Sequence, residues 1–139
     1  MFECILVSHG NLAQELLNTI HMIAGDVGNV KTFGLQSAQN IEDYKQEIVE
    51  YIKTVDNHVI IFADLLGGSP LMSASSVLNE FEHRAAIVTG MNLPMIIEVL
   101  LQRENLEFED AVSIAQVTGI EGIKKIVKED LHAGSTSKS

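Results

Sequence analysis

Two residues suited to proton or group transfer stand just past apolar runs: His9 follows Cys4 to Val7 (CILV) by two positions, and Asp64 directly follows His58 to Ala63 (HVIIFA). An aspartate that accepts a hydrogen bond from one imidazole nitrogen fixes the tautomer. The other nitrogen then presents its lone pair, and positive charge on the ring is stabilised during reaction. After Asp64 come Leu65, Leu66, Gly67, Gly68, Ser69 and Pro70. Gly67 and Gly68 permit close backbone approach, and a helix opening at Ser69-Pro70 offers N–H groups and a hydroxyl to a tetrahedral anion. A nucleophilic nitrogen beside an anion site suits a phosphoryl group better than a carbonyl substrate. Each part also has a plainer reading: His9 as a turn residue capping the first helix, Asp64 as an Asx turn, and Gly-Gly-Ser-Pro as a tight strand-to-helix connection.

The elements that must bring these residues together are legible in the apolar pattern. Cys4 to Val7 reads as a buried strand ending at Ser8-His9-Gly10. Leu12, Leu16, Ile20 and Ile23 recur at helical spacing up to Gly25, a C-cap residue. Val30 to Leu35 is a weaker strand, Asn40 an N-cap, and Ile41, Tyr44, Ile48, Ile52 and Val55 one face of a second helix. After the strand over 58–63, Ser69 is expected as N-cap before Pro70, with a third helix running to about Phe81. Ala85 to Thr89 is a strand, Pro94 opens a fourth helix, and a short helix over Ala111 to Val117 ends at Gly119. Ile123 to Val127 (IKKIV) is a last candidate strand. Strands alternating with helices predict an α/β, doubly wound, mainly parallel sheet with helices on both faces. In such sheets chemistry sits beyond the carboxyl ends of the strands where the strand order reverses, which brings His9 and Asp64 to one crevice.

Composition narrows the function. The 139 residues fit one domain, expected over 1–130, with 131–139 as a flexible tail. A net charge of −10, from 9 basic and 19 acidic residues, argues against nucleic acid or an anionic membrane as partner. One cysteine, Cys4, allows no intrachain disulfide and no Cys-rich metal site. With no signal-peptide pattern and no apolar run of membrane-spanning length, a cytoplasmic location is expected. His21, His58, His83 and His132 lack a partner at metal-ligand spacing, so no metal and no cofactor is expected. The Gly-x-Ser-x-Gly, Walker and dinucleotide-binding patterns are all missing. Met72, Met91 and Met95 flank the candidate loops, as core or as an adaptable docking surface.

The chain resembles the mannose-family IIA component of the bacterial sugar phosphotransferase system. Three ordered motifs carry the likeness: Ile5-Leu6-Val7-Ser8-His9-Gly10, Asp64-Leu65-Leu66-Gly67-Gly68-Ser69-Pro70, and Thr89-Gly90-Met91-Asn92-Leu93-Pro94-Met95. The resemblance implies that His9 carries the phosphoryl group, that Asp64 orients it, and that Ser69 contacts the phosphoryl oxygens. It implies a phosphotransferase that accepts from phospho-HPr and donates to an EIIB protein on a separate polypeptide, touching the membrane only through the EIIC/EIID transporter. It also implies a homodimer in which the strand near Ile123 to Val127 is exchanged between subunits. Docking is expected on Leu65, Leu66, Met91, Asn92 and Leu93, and Leu66 stands where some relatives carry an aromatic residue. Two rivals remain open at this level: a regulatory anion-binding module without covalent chemistry, and a subunit feeding a dihydroxyacetone kinase. The sugar is not legible, because specificity in this system lies in the membrane components.

Overall fold

The computed structural model describes residues 1–132. Four strands, β1 (Phe2–His9), β2 (Val30–Leu35), β3 (His58–Ala63) and β4 (Ala85–Thr89), form one sheet in the order β2-β1-β3-β4, and every pairing is parallel. The chain steps from β1 to β2 in one direction, then returns across β1 to lay down β3 and β4 on the other side. Right-handed crossovers that run in opposite directions place their helices on opposite faces. Accordingly α1 (Leu12–Ala24) packs on the face of Phe2, Cys4 and Leu6, while α2 (Ile41–Ile52) packs on the face of Ile5 and Val7. The parity of buried side chains along β1 and β3 divides the core into these two layers, as a sheet covered on both sides requires. Cys4 lies deep in the first layer, where burial pushes its thiol up to about 12 and leaves it an unreactive apolar group.

The third and fifth helices depart from the sequence expectation, and the fourth keeps to it within one residue. The third, α3, spans Ser69–Val77 and passes into a 3₁₀ turn over Leu78–Glu80, with Gly68 rather than Ser69 at the N-cap. The fourth, α4 (Leu93–Gln102), takes its cap from Asn92, whose side chain accepts from the Met95 N–H at 3.1 Å. The fifth, α5, runs over Phe108–Glu121 and passes straight through Gly119, the residue expected to end it. That glycine serves packing instead: a Cβ on Gly119 would stand 2.7 Å from Met95 Cε, so its absence lets α5 lie close on α4. Gly122 closes α5 against Pro94, where an added Cβ would meet Pro94 Cγ at 2.7 Å.

The fifth strand expected over Ile123 to Val127 is not formed in the single chain. A strand needs a ladder partner, and this segment has none here; Ile123, Ile126 and Val127 are exposed. A short helix, α6 (Lys128–His132), follows where the tail was expected to begin, and the rest of that tail lies outside the described residues.

At the carboxyl end of the sheet, Gly34 on β2 faces Ser8 on β1, and the Gly10 N–H donates to the Leu35 carbonyl at 2.7 Å. A Cβ on Gly34 would stand 2.1 Å from the Gly10 carbonyl oxygen, which is backbone and cannot rotate away. Gly34→Ala is therefore expected to destabilise the fold by about 1–3 kcal/mol, the usual range for overpacking, as read from urea unfolding. An unchanged unfolding midpoint would mean that the turn after β1 yields freely.

Candidate functional site

β1 and β3 are neighbours at the point where the strand order reverses, and their last residues hand the chain to helices on opposite faces. The Asp64 N–H donates to the Val7 carbonyl at 3.2 Å, extending the ladder one residue beyond β3 and setting Asp64 beside His9. Asp64 Oδ2 accepts from the His9 backbone N–H at 2.8 Å and lies 2.8 Å from His9 Nδ1. Asp64 Oδ1 accepts from the Leu65 N–H at 2.9 Å. An ionised carboxylate only accepts, so Nδ1 carries the ring proton and Nε2 holds the lone pair. The Asp64 side chain is 8% exposed against 49% for His9, so the anion is withdrawn from water while the ring reaches it.

Gly68 supports the ring. A Cβ there would stand 2.9 Å from His9 Cε1 and 3.7 Å from Nε2, so the backbone at the start of α3 lies against the imidazole edge that carries the lone pair. Gly67, at φ 86°, turns the chain in the left-handed region and lets α3 begin directly beneath His9. Ser69 occupies the first helical position and makes no cap, correcting its expected role as N-cap. Pro70 has no N–H to offer, so the Ser69 and Leu71 N–H groups are the unpaired donors of this first turn, with the Ser69 hydroxyl beside them.

The residues expected to form a docking rim divide. Leu65 is exposed and Leu66 is 82% exposed, joined at the surface by Leu12 and Met72. Met91 is only 8% exposed and packs in the core with Met95 and Ile96. Asn92 is committed at both ends of its amide, capping α4 and donating to the Gly119 carbonyl at 3.0 Å. Leu93 is half-buried. This loop opens α4 against α5, and tertiary packing draws its side chains inward.

Three residues without an assigned role in the sequence reading support the site. The Ser8 hydroxyl, fully buried, accepts from the Ala13 N–H at 2.9 Å. Gly34 admits the Gly10 carbonyl. Tyr44, fully buried on α2, donates its hydroxyl to the Phe33 carbonyl at 2.7 Å; burial first, and the Asp64 charge second, hold its phenol well above the usual range, so it remains a neutral donor. A buried tyrosine early in a helix and a serine at the end of an apolar strand were the available signals. His83 also meets an aspartate, Asp56 at 2.9 Å, but Asp56 is 98% exposed and holds no desolvated charge. His58 Nδ1 accepts from the Arg84 N–H at 3.1 Å. Among the described residues, no group of three or more His, Cys, Asp or Glu side chains could hold a metal ion.

A family model for EIIA-man, described as PTS system fructose IIA component, matches residues 3–116. The mannose-specific EIIAB component of Escherichia coli (strain K12) is 32% identical over 127 residues, covering 88% of this chain but only 38% of that protein. The sorbose-specific EIIA component of Lacticaseibacillus casei is 32% identical over 114 residues, 80% of each chain. Among solved structures, the phosphotransferase system component EIIA from Streptococcus agalactiae superposes with a TM-score of 0.83 at 26% identity, covering 90% of this chain and 97% of its own.

The contact between Gly68 and the ring can be tested directly. Gly68 has φ −77°, which any residue adopts, so Gly68→Ala should leave the backbone intact and displace the imidazole from Asp64. Nitrogen-15 NMR of the ring should show one Nδ1–H tautomer in the parent protein and a mixture in the variant; identical spectra would refute the contact.

Proposed function

The chain belongs to the EIIA-man family of sugar phosphotransferase EIIA components, and on that premise we propose that His9 accepts a phosphoryl group from phospho-HPr and passes it to an EIIB protein. The observation that carries this reading is the buried Asp64 carboxylate bonded to Nδ1, which leaves Nε2 as the nucleophile. In the first transfer the Nε2 lone pair forms a bond to phosphorus as the bond to the donor histidine of HPr breaks. Asp64 balances the positive charge that grows on the His9 ring. The equatorial oxygens are met by the Ser69 hydroxyl and the N–H groups where Gly68 gives way to α3, and such a loose transition state asks mainly for alignment and electrostatic stabilisation. The second transfer reverses these roles, with a nucleophile of EIIB as acceptor. No metal or cofactor takes part in this scheme. The exposed Leu65 and Leu66, with Leu12 and Met72, supply apolar contact for both partners at the crevice rim.

The domain is assigned to residues 1–130 and to the cytoplasm, reaching the membrane only through EIIC/EIID; no described helix is long and apolar enough to cross a membrane. A homodimer with exchanged terminal strands completes the proposal. Its support is the open edge of β4 beside a cleft of about 380 Å³ lined by Ile87, Val112, Ile120 and Ile123, together with exposed Val117, Ile126 and Val127. A strand over Ile123 to Val127 supplied by a second copy would cover that edge.

Incubation with phosphoenolpyruvate, enzyme I and HPr should add one acid-labile, base-stable phosphoryl group per chain, absent from His9→Ala by intact-mass spectrometry. Asp64→Ala should slow single-turnover transfer by on the order of a hundredfold. A protein that binds phosphate yet gains no covalent mass would instead be an anion-binding module. For the dimer, removal of the residues after Gly122 should yield monomers or aggregates in ultracentrifugation; a well-behaved truncated dimer would refute strand exchange.

A further inference from the structure

Residues 8, 9 and 10 are each tied to a different element. Ser8 Oγ holds the Ala13 N–H of α1 at 2.9 Å, the His9 N–H holds Asp64 at the end of β3 at 2.8 Å, and the Gly10 N–H holds the Leu35 carbonyl of β2 at 2.7 Å. The first of these closes a loop from Ser8 to Ala13 around His9. Asn11, the N-cap residue of α1, makes no side-chain cap of its own, and its Oδ1 accepts from Gln36 instead. The start of α1 therefore takes its cap from a residue of β1, five positions upstream and next to the imidazole. A serine whose side chain faces α1 while its neighbour's faces Asp64 couples the helix start to the ring's attachment point.

We propose that Ser8 is a positioning residue for His9: by capping α1 from the end of β1, its hydroxyl holds the turn that keeps the imidazole on Asp64. The inference deepens the phosphoryl-carrier reading and rests on it for its kinetic consequence, but not for its structural one. A merely structural cap would affect stability alone.

The test compares Ser8→Ala with Asn40→Ala, which removes the α2 cap on the Glu42 and Asp43 N–H groups. Both variants should lose stability to a similar degree in urea unfolding. Only Ser8→Ala should alter the nitrogen-15 signals of the His9 ring and speed hydrogen exchange at the His9 amide. It should also lower the transfer rate at saturating phospho-HPr by roughly tenfold, short of the about hundredfold cost of a full ångström of misplacement, with the half-saturating concentration unchanged. If His9 ring signals and amide exchange in Ser8→Ala match those in Asn40→Ala, the positioning role is overturned. If the parent protein takes no phosphoryl group from HPr, the carrier reading falls, while the ring signals and amide exchange still decide the role of Ser8.

Discussion

A carboxylate withdrawn from water is costly unless its oxygens are met, and the architecture around Asp64 follows from meeting them. Its donors are the His9 amide, the His9 ring and the Leu65 amide, so two come from the end of one strand and one from the turn after its neighbour. Those donors converge only if β1 and β3 lie side by side in the observed register, with Asp64 carried one rung past the last residue of β3. The parallel ladder, the reversal of strand order and the tight glycine turn into α3 all serve that convergence. Charge-assisted bonds to a histidine are also the kind that strengthen as the ring gains positive charge, so the same arrangement serves folding and chemistry.

The β4–α5 side of the sheet is built differently. The amide of Asn92 and the bare backbone of Gly119 bind α4 to α5, and Met91 and Met95 fill the space beneath. This corner is stabilised by packing, and it buries Met91 and Met95 in the core. The contrast separates what can touch a partner, Leu65 and Leu66, from what holds the frame, Met91 and Asn92.

What the sequence disclosed depended on how local the physics is. Three strands were visible as short apolar runs closed by turn residues, with Val30 to Leu35 weaker because Lys31, Thr32 and Gly34 interrupt it, and the pairing of His9 with Asp64 followed from where such strands must end. Asn40 acts as the N-cap its sequence suggested, accepting from two amides of its own first turn. Gly119 misled because a glycine that ends a helix and one that lets another helix approach are identical in sequence, and only Met95, far along the chain, distinguishes them. Ser69 misled in a similar way: Gly68 beneath the imidazole takes the cap position one residue earlier. Ser8 went unassigned because its acceptor role reaches five residues forward, beyond the two- or three-residue span of an ordinary cap. Gly34 was silent because its constraint, the Gly10 carbonyl, arrives only when β1 and β2 pair. Ile123 to Val127 is a short apolar segment interrupted by Lys124 and Lys125, a weak strand signal even in sequence, and one chain supplies nothing for it to pair with.

The contact between Gly122 and Pro94 gives that last segment a fulcrum. Because the end of α5 is seated against the first turn of α4, the chain leaves the globule from a fixed point and in a fixed heading. Any swing of the apolar segment beyond it must pivot after residue 122 rather than within α5. Its reach is then set by a handful of residues rather than by a flexible arm. Two copies that traded this segment would be brought to a nearly fixed spacing and orientation, so that the placement of one crevice relative to the other would be decided by a proline at the start of a helix neither crevice includes.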